Sequence, residues 1–298
     1  MAISASSKRL GVLTVALLVL STALCQATRL EHRRAAHEAA PVALSDIQTP
    51  VSTDRLALVV GNYGYPDADV PPVQVRRDAE ALARILRRDG FSVDLVENAT
   101  RADMIRAIEH LKARVRPNSV VFLYFDFGGY GVQSGDQDYM VPVDAKIWRE
   151  NDVRQQGLSL DRALSDLREA GAIIQIAVVD ASRPNPFERR FRLYSHGLAP
   201  LQIGEKALVL TSSAPGQVME DSDTAESPFM AALVHGMESS TRPVQQIFED
   251  TQSAVAARTE NQQMPTVSST LREDVTLGPP PTAAPVSSAD KPESRPRG

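Results

Sequence analysis

The chain has 298 residues, a formal net charge of -5, and a sequence that is 43% hydrophobic and 23% charged. This composition fits one sizeable domain with tails and leaves no room for a second full domain. A mildly acidic chain without basic tracts offers no electrostatic footing for nucleic acid, and a single cysteine, Cys25, excludes an internal disulfide and, if it is removed with the N-terminal segment, cysteine-ligated zinc and a cysteine nucleophile as well.

The N-terminus reads Lys8-Arg9, then an apolar stretch from Leu10 to Leu20, then small and polar residues ending in Cys25-Gln26-Ala27. That is the basic, apolar, cleavage-site order of a secretory signal, so residues 1 to 27 are expected to be removed after Ala27 and the product to be secreted or periplasmic. The apolar stretch is shorter than the roughly 20 residues of a membrane span. An uncleaved, membrane-anchoring signal is the alternative; after cleavage no stable membrane insertion is expected. Leu24, just before Cys25, is too large for lipoprotein processing. Cleavage removes the only thiol and, with Lys8 and Arg9, moves the formal charge from -5 to -7. Residues 28 to 53 are polar and Ala-rich with Pro41 and Pro50, and read as a flexible tether.

A patterned domain spans 54 to 278. Leu56 to Val60 is a continuous strand-like run ending at Gly61, Asp78 to Arg88 is a helix with Ala79, Leu82, Ile85 and Leu86 on one face, and Phe91 to Val96 is a second strand after the turn Asp89-Gly90. Thr100 to Asp103 forms a capping box opening a helix through Leu111, followed by the strand Val120 to Phe125. Asp126, a charge directly after this apolar run, reads as the strand's exit to solvent; the alternative is burial beside Tyr130, where it would accept a hydrogen bond from the phenol. Ser159 to Glu169 is a helix, Ile173 to Val179 and Ala207 to Leu210 are strands, and Pro228 to Gly236 and Val244 to Ala257 are helices. Alternating elements with fully apolar strands predict an α/β three-layer sandwich, with a mainly parallel sheet of about six strands and helices on both faces. Residues 279 to 298 hold six prolines among Ser, Ala and a few charges, and read as a disordered tail.

Two segments follow predicted strands, where sites on parallel sheets form. Gly129-Tyr130-Gly131-Val132-Gln133 follows the third strand, and Asp180-Ala181-Ser182-Arg183 follows the fourth. The first resembles Gly-His-Gly-x-Gln and the second Asp-Ala-Cys-Arg of caspase-like cysteine peptidases of the bacterial orthocaspase and metacaspase type. Further pieces in the same order extend the resemblance over residues 54 to 278: Leu56 to Asn62 like the opening strand, Arg77-Asp78-Ala79 like the start of the first helix, Asp138 to Asp144 like the hairpin after the histidine loop, Asn185-Pro186-Phe187 after the cysteine-type loop, and Ser212 to Gln217 with Ser227-Pro228-Phe229 like the substrate-side loop and the helix beyond it. The 52 positions from Tyr130 to Ser182 agree with a caspase histidine-to-cysteine separation of about 50.

The resemblance places Tyr130 at the histidine position and Ser182 at the cysteine position. A thiolate nucleophile and its imidazole partner are then both missing. A serine hydroxyl needs a general base, and a phenol with a reference pKa near 10 holds its proton too tightly to serve as one at neutral pH. The expectation is an inactive homologue, a pseudoprotease acting by binding. The alternative is a residual or serine-dependent endopeptidase cleaving after Arg or Lys, with Ser182 activated by Tyr130 or by His196 or His235 brought in by folding. The resemblance also assigns Asp78 and Asp180 to recognition of an arginine or lysine side chain, through charge-assisted hydrogen bonds; otherwise both are satisfied by backbone amides. The partner so implied is a protein or basic peptide, with self-association also open.

No cofactor is expected. Glu220, Asp221, Asp223 and Glu226 form an acidic loop that is either solvated or a calcium site, but it lacks an ordered ligand spacing. Gly128, Gly129 and Gly131 superficially suggest a phosphate loop, yet Gln133 to Asp136 continue as a hairpin turn instead of opening a helix. His32 and His37, five apart in the tether, do not match the four-residue spacing of a helical metal pair.

Overall fold

The computed structural model describes residues 55–66, 73–184, 186–187, 197–218, 227–238 and 241–278. The signal, the tether, the proline-rich tail, His196 and the acidic loop at Glu220 to Glu226 lie outside the described residues.

The central sheet is built from β1 (Arg55–Asn62), β2 (Ser92–Glu97), β3 (Ser119–Phe127), β7 (Ala172–Asp180), β8 (Ala207–Thr211) and β9 (Thr266–Ser269), in the order β2-β1-β3-β7-β8-β9. Every neighbouring pair is parallel except β8 with β9. A smaller antiparallel sheet joins β4 (Gln133–Ser134), β5 (Gln137–Met140) and β6 (Leu158–Ser159). Helices α1 (Val73–Arg88), α5 (Pro228–Met237) and α6 (Val244–Arg258) cover one face of the large sheet, while α2 (Arg101–Arg114) and α4 (Leu160–Glu169) cover the other. A short helix, α3 (Glu150–Gln156), precedes β6. The expected three-layer α/β arrangement with a six-stranded, mainly parallel sheet is therefore what the chain forms.

The two-residue period of a strand splits each apolar run between the two layers. Leu123, Phe125 and Val179 pack with α2 and α4, whereas Phe122, Tyr124, Ile176 and Val178 pack with α1, α5 and α6. The capping box is present: Thr100 and Asp103 exchange side-chain and backbone bonds at the start of α2.

Two boundaries differ from the sequence reading, and both matter for the site. Helix α1 begins at Val73, so Asp78 lies in its second turn instead of at its start. Strand β3 runs on to Phe127, and Asp126 does not leave for solvent but is 2% exposed inside it. Strand β9 and helix α3 were not foreseen. The first is a polar edge strand, and the second has seven residues, too few to show a helical period.

Gly61 stands in β1 directly opposite Asp126. A Cβ there would meet the Cβ of Ala79 at 3.0 Å, so the missing side chain lets α1 lie close against the sheet beside Asp78. Gly61→Val is expected to destabilise the fold by about 1–3 kcal/mol through overpacking. Urea denaturation checks this as a lower midpoint with an unchanged slope.

Candidate functional site

The site forms at the carboxyl ends of β1, β3 and β7. Gly61, Asp126 and Asp180 are partners in one row across these three strands. Strand periodicity puts Asp126 and Asp180 on the same side as Tyr124 and Val178, toward α1, which carries Asp78. Asp180 is 6% exposed.

Burial is the chief reason that the Asp126 carboxyl is held well above the ordinary carboxylate range, and the neighbouring negative charge of Asp180 adds to it. The Gly129 N–H, donated to Asp126 Oδ1 at 2.7 Å, opposes that rise, as does the Tyr124 hydroxyl, which donates to Oδ2 at 3.3 Å. Asp180 is raised by burial too, but is eased back by hydrogen bonds from the Ser212 and Ser182 side chains and by the charge of Arg183. Asp78 contributes a further negative charge to the environment of Asp126 and Tyr124. The Tyr124 phenol is pushed well above its usual value by burial first and by these carboxylates second.

After β3 the chain turns through Gly128 (φ +69°) and Gly129 (φ +74°), both in the left-handed region that glycine adopts without strain. A Cβ on Gly128 would lie 2.9 Å from the Tyr130 ring, and one on Gly129 would lie 3.0 Å from the Arg183 side chain. The Arg183 N–H donates to Gly129 O at 2.7 Å, and Tyr130 and Arg183 form a parallel bridge. The structure thus brings the loops of Tyr130 and Ser182 side by side. Tyr130 stands edge-on to Tyr65, with ring centroids 5.8 Å apart. The Tyr65 hydroxyl in turn donates to Val141 O at 2.7 Å. Ser182 Oγ donates to Asp180 Oδ1 at 3.4 Å, which is long for a hydroxyl donor.

Neither described histidine reaches these loops. His235 lies near the end of α5, has a side chain 87% exposed and pairs with Glu238 at 3.4 Å. Met237, beside it, accepts a bond from Arg88 at the far end of α1 from Asp78. Ten helical residues separate Asp78 from Arg88, about 15 Å of rise. The structure thus places His235 away from Ser182. His110 is held by Asp94 of edge strand β2 at 3.1 Å. Among the described residues no group of three or more His, Cys, Asp or Glu side chains is arranged to hold a metal ion. No helix among them is long and apolar enough to cross a membrane.

A third buried acid holds a strap beside the Tyr130 loop. Asp138, on the β4–β5 hairpin and 1% exposed, accepts the Ala199 N–H at 2.8 Å. Ala199 belongs to a strap that presses Gly197 against Gly131, where a Cβ would come within 2.8 Å of backbone, and that takes Gly216 N–H onto Leu198 O at 3.0 Å. In the sequence Asp138 is legible only as part of a hairpin and Ser212 only as the start of the substrate-side loop, while Tyr65 carries no signal. An acid flanked by hairpin residues was the one available signal.

Two loops at adjacent strand ends of a mainly parallel sheet, one after β3 and one after β7, define the architecture of a caspase-type peptidase scaffold. The family model for the caspase domain, peptidase family C14, matches residues 54–276, and the chain belongs to that family. No curated protein matches the chain.

Burial pushes the Asp138 carboxyl up to about 7, against the opposing hydrogen bond from Ala199. Its unfolded value is about 3.9. The folded state therefore binds this proton more tightly, so the contribution is fully present below about pH 4 and is lost as pH rises toward 7. Asp138→Asn keeps an acceptor for Ala199 and removes the titration. Its stability relative to the native protein is expected to climb by a few kcal/mol between about pH 4 and pH 8, measured by urea denaturation across that range.

Proposed function

We propose that this protein is a secreted caspase-domain pseudoprotease that binds a basic peptide or protein segment without cleaving it. The observation that carries the reading is the pair Tyr130 and Ser182 on the two adjoining cleft loops, where the family resemblance puts the imidazole and the thiol. Neither described histidine lies beside Ser182, so no imidazole from His110 or His235 is offered as its base. In an unrelated serine protease, loss of the nucleophile or base alone costs about a millionfold in turnover, so replacement of both partners leaves hydrolysis at background. Secretion rests on the N-terminal order of Lys8-Arg9, Leu10 to Leu20 and Ala27.

What the cleft keeps is negative charge. Asp78 and Asp180 are the acids that the resemblance assigns to a basic side chain, and both act electrostatically on the same buried carboxyl, that of Asp126. A guanidinium suits such a pair because it cannot lose its charge and donates in a fixed fork. One contact favours a second reading, a serine-dependent endopeptidase: Ser182 Oγ approaches the Asp180 carboxylate at 3.4 Å. A carboxylate without an imidazole between them is a weak base for a serine hydroxyl, which is why binding is preferred.

Arginine- and lysine-terminated fluorogenic peptides test the two. The native protein and Ser182→Ala are expected to be equally silent, while Tyr130→His combined with Ser182→Cys gains measurable cleavage. Hydrolysis by the native protein that Ser182→Ala abolishes would establish the serine enzyme instead. In the binding reading, Asp78→Ala with Asp180→Ala weakens capture of an arginine-bearing peptide by about 10- to 100-fold, the range for losing charge-assisted hydrogen bonds; unchanged capture removes the acidic pocket.

A further inference from the structure

Asp126 belongs to no part of the family resemblance, yet it lies at the centre of the site. It is in register with Asp180 on the neighbouring strand, and adjacent parallel strands lie about 4.8 Å apart. Both side chains project to the same side of the sheet, and both residues are buried. The Asp126 side chain is fixed by two donors, Gly129 N–H at 2.7 Å and the Tyr124 hydroxyl at 3.3 Å. With 2% of its surface exposed, it is not placed to touch a ligand that enters beside Ser182, and so acts through Asp180.

We propose that Asp126 is a positioning and charge-setting residue for the cation pocket of the preceding section: it holds one proton jointly with Asp180, and the pair releases that proton when a guanidinium or ammonium group enters. The inference rests on that pocket reading.

Two carboxylates side by side in a buried place do not both ionise unless a cation accompanies them, because their repulsion adds to the cost of removing each from water. Every charged neighbour bears on this. Asp180 on β7 and Asp78 on α1 both favour keeping the proton at Asp126. Tyr124 on the same strand and Tyr65 beyond β1 carry phenols that stay protonated. From α5 the thioether of Met230, which has no charge, lies 3.5 Å from the Tyr124 hydroxyl. Arg183 is the cation that offsets Asp180. An arriving ligand cation adds a second positive charge to the same carboxylate, which shifts the balance toward two ionised acids and one free proton. The ligand class is a terminal guanidinium or ammonium on a flexible chain, and its affinity rises with pH while its own charge is constant.

The test is calorimetric titration of the purified protein with N-acetyl-arginine methylamide between pH 5.5 and 7.5, in buffers of different ionisation enthalpy. Release of one whole proton corresponds to about tenfold in affinity per pH unit. The native protein is expected to show a clear part of that slope, with proton release appearing as buffer-dependent heat. Asp126→Asn keeps an oxygen for Gly129 N–H but cannot share the proton, so it is expected to bind with less than half the slope. A purely structural role for Asp126 would leave the slope intact. Infrared difference spectra of the native protein, ligand-bound minus free, give a readout that needs no variant: at pH 6.5 a negative carboxylic acid band is expected, while the Asp138 acid, which is common to both states, cancels. Binding that is independent of pH, an unchanged slope in Asp126→Asn, or a band indifferent to ligand would each overturn the inference and leave the pocket standing. No binding at any pH would remove the pocket and the inference together.

Discussion

The hydrogen bond from Gly129 N–H to Asp126 Oδ1 is the constraint on which the rest of the cleft hangs. It closes the end of β3 into a tight turn that two successive left-handed glycines make possible. The same turn aims Gly129 O at the amide of Arg183, so one short segment fixes the loop of Tyr130 and the loop of Ser182 at once. From Tyr130 the support passes edge-on to Tyr65, and from the Tyr65 hydroxyl to Val141 beyond the small hairpin. Asp138 on that hairpin then holds the strap of Gly197 to Ala199. The cleft is a chain of mutually dependent backbone and side-chain bonds, and such networks have few alternative arrangements.

That rigidity carries a thermodynamic cost at one place. Three aspartates converge where the sheet ends, and the fold buries two of them almost completely. Isolated buried carboxylates cost several kcal/mol each, and proteins meet the cost by pairing the charge or by keeping the proton. Here both devices are at work: Arg183 and the hydroxyls of Ser182 and Ser212 favour the ionised form of Asp180, while burial beside Asp180 favours the protonated form of Asp126. Elsewhere the same sheet is lined by Val, Leu, Ile and Phe. The polar burden is concentrated at the carboxyl ends of the strands, the edge at which open parallel sheets bind their ligands.

Much of this was readable from the chain. Strands β1, β3, β7 and β8 announced themselves as continuous apolar runs because both of their faces are covered, and Thr100 with Asp103 announced the start of α2 because a capping box is a local bond pattern. The placement of Tyr130 and Ser182 on loops after successive core strands was legible too, whereas the adjacency of those strands is set by the sheet order. Asp126 was misread for a reason that is equally physical. A charge ending an apolar run ordinarily marks the water boundary, and what keeps Asp126 inside is that β3 goes on pairing with β1 and β7 past this point, so that Asp126 stands between Gly61 and Asp180, 54 positions later in the sequence. Registry between distant strands is not a local property. Two aspartates closing two consecutive apolar strands were a faint trace of it. The burial of Asp138 was hidden likewise, since its cause is a backbone amide 61 positions away.

Replacing an imidazole by a phenol changes more than the reaction. An imidazolium at position 130 would be a positive charge beside this acidic floor, available to balance Asp180 whether or not a ligand were present. Tyr130 is a phenol that rests edge-on against Tyr65. Under the binding reading, the charge balance of the floor then falls to Arg183, to retained protons and to whatever cation enters. In that reading, losing the catalytic base leaves the pocket more dependent on the charge of its ligand than an active relative's would be.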